Sequence, residues 1–127
     1  MISKLAQVRQ SLAKWNVDGL LITSPANRRW LSGFTGSAAM LLITPEQAIL
    51  STDSRYWEQA EREAPDFVIY RASAKPDDFS DFLAMGNAIR LGFEARHVSV
   101  TDYKNYRKLK EYRWKPLSAT IEQLRAI

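Results

Sequence analysis

The side chains with chemistry to offer fall into three groups along this chain of 127 residues. A cationic-aromatic run, Arg28-Arg29-Trp30, leads into a glycine-spaced loop, Gly33-Phe34-Thr35-Gly36-Ser37. Scattered carboxylates follow at Asp53, Glu58, Asp77, Asp78 and Glu94, with His97 as the one histidine. The third group is basic: Lys104, Arg107, Lys108, Lys110, Arg113 and Lys115 face a single acid, Glu111, and outweigh the formal net charge of +4.

Residue type limits what each group can do. A Walker-type phosphate cradle needs Gly-Lys-Ser/Thr running from a strand into a helix, whereas this loop has no lysine and leads into a strand. Its glycines either serve a connecting loop that needs positive φ, or set Phe34 outward toward a partner, since a phenylalanine between glycines has little local structure to bury it. The carboxylates lie in different predicted elements, and helix-cap and dipole roles account for Asp53, Asp77 and Asp78. One histidine excludes a multi-histidine metal site, and a lone loop histidine reads as a surface residue. There is no G-x-S-x-G nucleophile turn. The absence of cysteine removes disulfides, thiolate metal sites and cysteine nucleophiles, in keeping with a reducing, cytoplasmic setting. The residues define no self-contained active site and no cofactor site within the chain.

Two features remain open to binding. Adjacent residues on a short helix point about 100° apart, so at most one of Arg28 and Arg29 follows Trp30 into packing and the other meets an anion or solvent. On the segment after Ser99, Lys104, Arg107 and Lys108 share one helical face, and Tyr103, Tyr106 and Leu109 share another. Basic residues beside aromatics can hold a nucleic acid backbone, but a helix packing its tyrosines on a sheet and solvating its lysines gives the same string.

The elements that position these groups follow from periodicity. Ile2, Leu5, Val8, Leu12 and Trp15 recur at helical spacing, and the chain reverses at Asn16-Val17-Asp18-Gly19. Gly19 to Thr23 is an apolar run between turn formers, hence a buried strand, and Asn27 is placed to cap a short helix that Gly33 ends. Ala39 to Thr44 and Ala48 to Ser51 predict antiparallel strands joined at Thr44-Pro45-Glu46-Gln47. Asp53 is expected to cap a helix burying Tyr56, Trp57, Ala60 and Ala64, which Pro65 stops. Phe67 to Tyr70 predicts a strand, Pro76 opens a helix burying Phe79, Phe82 and Leu83, and Ile89 to Phe93 predicts another strand. Ser99 with Asp102 has capping-box spacing for a helix through about Tyr112. Trp114 to Leu117 reads as a last strand and Ile121 to Ile127 as the start of a helix.

This order implies an α/β fold of three layers, α/β/α, around a mixed sheet of about six strands, antiparallel first and parallel later. The length suits one domain, and 46% hydrophobic with 25% charged residues is ordinary for a soluble globular chain. No apolar run approaches the roughly 20 residues of a membrane span.

The tracts R-R-W-L-S-G-F-T-G-S-A and S-T-D-S-R-Y-W-E-Q-A, at this separation, resemble the N-terminal domain of the creatinase, prolidase and aminopeptidase P group, the pita-bread metallopeptidases. The likeness covers essentially the whole chain and is closest to Xaa-Pro aminopeptidases or dipeptidases. It implies a ribonuclease-H-like topology over residues 1–117, with 118–127 beginning a linker helix to an absent C-terminal catalytic domain. It further implies two divalent metal ions, manganese expected, held by two Asp, one His and two Glu of that domain. No metal is expected in the present chain. The expected role is non-catalytic: homo-oligomer contacts, and access to the partner's active site for a peptide with proline in second position. Arg28, Arg29, Trp30, Phe34, Thr35 and Ser37 are the residues expected near substrate or interface, with no nucleic acid and no membrane partner. The rival is a free-standing α/β module contacting nucleic acid through its basic helix.

Overall fold

Three short apolar runs build the middle of the sheet. In the computed structural model, which describes residues 2–126, β1 (Gly19–Ile22), β2 (Met40–Ile43) and β3 (Ala48–Thr52) form an antiparallel meander. Met1 and Ile127, the last residue of the expected terminal helix, lie outside the described residues. β4 (Val68–Arg71) joins β3 in parallel, β5 (Arg90–Glu94) joins the free side of β1 in parallel, and β6 (Arg113–Leu117) extends β5. Among the described residues the resulting sheet has six strands in the order β4-β3-β2-β1-β5-β6. The central strands are covered on both faces, which is why they read as continuous apolar runs and not as alternating ones.

Among the described residues six helices cover the sheet: α1 (Lys4–Ser11), α2 (Pro25–Ser32), α3 (Trp57–Glu63), α4 (Asp78–Ala84), α5 (Val100–Arg107) and α6 (Ile121–Arg125). Strand alternation splits the core in two. Leu20, Ile22, Leu41 and Leu50 face Val8, Leu31, Phe34 and Ile121 on one side. Leu21, Leu42 and Ile49 face Phe82, Leu83 and Tyr106 on the other. The expected three-layer mixed sheet of six strands is therefore the observed architecture. Among the described residues no helix is long and apolar enough to cross a membrane.

Several local expectations need correction, the first three because a side chain finds a better partner than a helix end. Asn27 does not cap α2; Ser24 is the N-cap with Pro25 behind it, and Asn27 sits inside the helix, fully buried. Asp53 does not cap α3. Its carboxylate accepts from the Arg55 backbone N–H at 3.1 Å and from the Arg55 guanidinium at 2.9 Å, and the helix begins only at Trp57. Pro76 precedes α4 by two residues, because the Asp78 carboxylate accepts from the backbone N–H groups of Ser73 and Lys75 and so ties off the turn before it. α5 does use Ser99, whose Oγ accepts from Asp102 N at 3.0 Å, but it ends at Arg107. Ile2, expected on the buried face of α1, is 47% exposed.

Trp57 is half-buried and not enclosed. Its Nε1 donates to Thr52 O at 2.9 Å, and the Arg71 guanidinium lies 5.4 Å from its ring centre. Phe82, by contrast, has no exposed surface. Phe82→Ala is expected to destabilise by roughly 3–5 kcal/mol, as large core truncations do, and Trp57→Ala by clearly less. Urea unfolding of the two variants checks this, and a larger loss for Trp57→Ala would contradict the assigned burial.

Candidate functional site

The glycine-spaced loop leaves the C-terminus of α2, and its shape is set from below. Gly33 takes φ +80° at the helix end, where its N–H donates to Arg29 O at 2.8 Å. Positive φ of this kind suits glycine far better than residues with a Cβ. The chain then turns Phe34 inward: the ring is 2% exposed and meets Tyr56 edge-on with centroids 5.8 Å apart. The expectation of an outward Phe34 is thus overturned. The burying partners come from α3 and the sheet, not from the loop itself. Gly36 is required on the other side, since a Cβ there would collide with the Phe34 ring.

With Phe34 as its plug, the loop presents hydroxyls in fixed positions. The Glu63 carboxylate accepts from Thr35 N at 2.9 Å and Thr35 Oγ1 at 3.0 Å, and Gln59 Nε2 donates to the same hydroxyl at 3.0 Å. The backbone N–H of Thr35, then the amide of Gln59, hold the Glu63 carboxyl below the usual range. Ser37 Oγ lies 2.7 Å from the Tyr56 hydroxyl, and that hydrogen bond lowers the Tyr56 phenol from its ordinary value. Thr52 Oγ1 donates to Ala38 O at 2.6 Å and closes the loop onto β3.

Arg28 and Arg29 divide as adjacent helical residues must. Arg29 is exposed, while Arg28 is 7% exposed. One terminal nitrogen of Arg28 donates to Thr23 O at 2.9 Å and the other makes a long contact to Ser37 O at 3.5 Å, leaving Nε buried without a partner. Burial lowers its pKa and the nearby charge of Glu94 partly restores it. Arg28 therefore organises the loop from inside and does not offer a cation outside. Trp30 is half-buried, with Lys4 Nζ 4.9 Å from its ring centre and donating to Trp30 O at 3.1 Å. Of the six residues singled out, Arg29, Thr35 and Ser37 reach solvent, Trp30 does so in part, and Phe34 and Arg28 support them.

A second polar cluster, not foreseen from sequence, sits where β5 ends. Glu94 is 3% exposed and accepts from Thr23 N at 2.6 Å, Ser24 N at 2.8 Å and Asn27 Nδ2 at 2.6 Å. Asn27 Nδ2 also donates to Glu122 at 3.0 Å, and Asn27 Oδ1 accepts from Arg125 at 2.8 Å. His97 Nε2 lies 2.8 Å from Glu122, so the lone loop histidine is engaged. The signal was available: a glutamate closing the buried run Leu91-Gly92-Phe93 has to find donors.

Glu94, His97 and Glu122 bring ligand atoms within 4.8 Å of one another. They do not fit a metal centre. Both Glu94 oxygens are taken by N–H donors, and the Asn27 amide hydrogens point between the two carboxylates where a cation would sit, an orientation fixed by Arg125. The chemistry of the cluster is that of a hydrogen-bonded clasp.

The basic segment packs as an amphipathic helix. Tyr106 is buried and stacked 4.8 Å from Trp114, while Lys104, Arg107, Lys108 and Lys110 stay exposed.

The sequence pattern of the Creatinase/Prolidase N-terminal domain matches residues 4–127. The chain belongs to this family. It is 32% identical over 126 residues to the uncharacterized peptidase YqhT of Bacillus subtilis, covering 98% of this chain and 36% of that protein. It is 33% identical over 117 residues to mouse Xaa-Pro aminopeptidase 2, covering 81% of this chain and 17% of the relative. The chain thus spans well under half the length of these relatives. Among solved structures, an Xaa-Pro dipeptidase from Bacillus anthracis superposes with a TM-score of 0.92 at 29% identity, over 98% of this chain and 35% of the other. The N-terminal domain of the cytoplasmic peptidase PepQ from Mycobacterium tuberculosis gives 0.84 at 30% identity, over 94% and 96% of the two chains.

Two outcomes are expected from this geometry. Phe34→Ala should cost roughly 3–5 kcal/mol as a core truncation; a loss below about 1 kcal/mol in urea unfolding would return the ring to the surface. Partial burial opposes ionisation of Glu122, but hydrogen bonds from His97 and Asn27 outweigh it and hold its carboxyl at about 2, below the ordinary 4.5. A depressed folded value means stabilisation present in full above 4.5 and lost as pH falls through about 2. The stability difference between wild type and Glu122→Gln should therefore close over that interval; a pH-independent difference would contradict the assignment.

Proposed function

We propose that this chain is the non-catalytic N-terminal part of an Xaa-Pro metallopeptidase, aminopeptidase or dipeptidase, acting in a homo-oligomer in the cytoplasm. In this reading the hydroxyl-bearing loop from Gly33 to Ser37, with Arg29 and Trp30 beside it, forms part of the wall that receives a peptide with proline in second position. The observation that carries the reading is the loop itself: Thr35 and Ser37 are exposed yet held by Glu63 and Tyr56 over a buried Phe34. Such a rigid polar edge recognises backbone groups without loss of loop entropy on binding. The one carboxylate beside a loop hydroxyl, Glu63, is held below the usual range by Thr35 N and Gln59, which makes it a poor base for Thr35, so the contribution proposed here is recognition and not bond cleavage. The family match over residues 4–127 and the Xaa-Pro peptidases among the relatives support the assignment.

The hydrolytic chemistry requires two divalent ions, manganese in this proposal, whose ligands belong to residues outside this chain. The Glu94, His97 and Glu122 cluster supplies one histidine and carboxylates already occupied by donors, which does not make a two-metal centre. The purified chain is accordingly expected to release no amino acid from Xaa-Pro peptides with manganese added. Manganese-dependent release would overturn this.

In the longer peptidase, Ser37→Ala or Thr35→Ala should lower kcat/KM by about fivefold per hydrogen bond of about 1 kcal/mol, or shift the oligomer, while metal content stays at the wild-type level. Wild-type kinetics and assembly in both variants and in Arg29→Ala would reduce the loop to scaffold.

A further inference from the structure

The polar contacts that join the C-terminal helix to the helix bearing the loop run through a single buried side chain. α6 touches α2 by two polar contacts, both on Asn27: Glu122 accepts from its Nδ2 and Arg125 donates to its Oδ1. On its other side Asn27 is fastened to the end of β5 by Glu94 at 2.6 Å. Both amide hydrogens and one carbonyl lone pair of Asn27 are therefore spent on three different side chains. The next residue, Arg28, reaches Thr23 O and, at longer range, Ser37 O. Ser32, at the far end of the same helix, takes the second N–H of the loop, with Phe34 N donating to its Oγ at 3.1 Å.

α2 has eight residues, so it is about 12 Å long at 1.5 Å per residue and moves as a rigid body. Its entry is clasped to α6, and its exit carries the loop. We propose that Asn27 is a positioning residue that transmits the placement of α6 through α2 to the loop from Gly33 to Ala38. The polar contacts between α6 and α2 converge on this one amide, so a displacement of Glu122 and Arg125 reaches α2 through Asn27, while His97 links Glu122 to the segment after β5. Ile121 anchors the start of α6 in the core and supplies the pivot. Under the function proposed above, α6 leads toward the catalytic part, and the device sets where Thr35 and Ser37 stand relative to a bound peptide. That consequence rests on the proposed function, whereas the coupling itself is a property of this chain and is tested on it.

The probe is the Tyr56 phenol, whose hydrogen bond to Ser37 reports the loop position. Arg125→Ala and Glu122→Gln change only α6 and act on partly or fully exposed residues, so both variants should fold. By NMR on the 127-residue chain, the pair together should shift the amide signals of Thr35 to Ala38 and speed their hydrogen exchange severalfold. It should also move the Tyr56 titration back up toward that of a free tyrosine. Leu124→Ala, which loosens α6 through apolar contact alone, should perturb α6 without this loop signature. In an Asn27→Ala background the α6 pair should no longer alter the loop. If the loop signals and the Tyr56 titration stay fixed in the α6 pair, or if the pair still moves them without Asn27, the coupling is overturned. Kinetics of Asn27→Ala in the longer peptidase then judge the other reading: a coupled loop with unchanged kcat/KM would retain the device and reject its role at a substrate site.

Discussion

The carboxylate of Glu94 is the point on which this architecture turns. A glutamate at the end of a buried strand is costly unless its oxygens are met by donors, and here the requirement is satisfied by Thr23, Ser24 and Asn27 together. Those donors are the end of β1 and the first turn of α2, so solvating one buried charge fixes the direction in which the chain leaves the sheet. The same charge offsets the buried guanidinium of Arg28, which makes no direct ion pair. Removing Glu94 would leave two backbone N–H groups, an amide and a cation without their counterpart. In that sense the loop geometry is inherited from a residue far away in sequence.

Much of the scaffold was legible because its physics is local. Leu20 to Ile22, Leu41 to Ile43 and Ile49 to Leu50 read as strands since burial on both faces leaves an unbroken apolar run. The Thr44 to Gln47 turn and the Ser99 cap also rest on residues three apart, and both are observed. Cap assignments failed at Asn27 and Asp53 for one shared reason, whereas Asp77 and Asp78 do stand at the N-cap and in the first turn of α4. Short polar side chains suit helix starts, but they suit any other unsatisfied donor or acceptor as well, and here Asn27 donates to Glu122 while Asp53 accepts from Arg55.

The site was legible only in outline. The loop was located by its glycines and the arginine pair divided as helical geometry requires, yet Phe34 was given the wrong side. A local criterion cannot bury a ring whose partners, Tyr56 at the start of α3 among them, arrive from later in the chain. The clasp was invisible for a stronger version of the same reason: Asn27 stands 67 residues from Glu94 and 95 from Glu122, and no periodicity connects them. His97 illustrates the point, since its residue type is informative only once Glu122 is known to lie beside it.

The strand order also favours one sequence of assembly. Pairing β1 with β2 brings together Leu20 and Ile43, whereas pairing β1 with β5 brings together Leu20 and Gly92. Closing the longer loop costs about 1 kcal/mol more in chain entropy on a logarithmic length dependence. The meander of β1, β2 and β3 is therefore the favoured nucleus, and β5 docks onto a surface already formed. Glu94 arrives with β5, so α2 acquires its final seat only in the closing stage of folding. During biosynthesis the chain would hold three paired strands, with the loop already tied to Thr52, Tyr56 and Glu63, while α2 still lacks the carboxylate that seats its first turn.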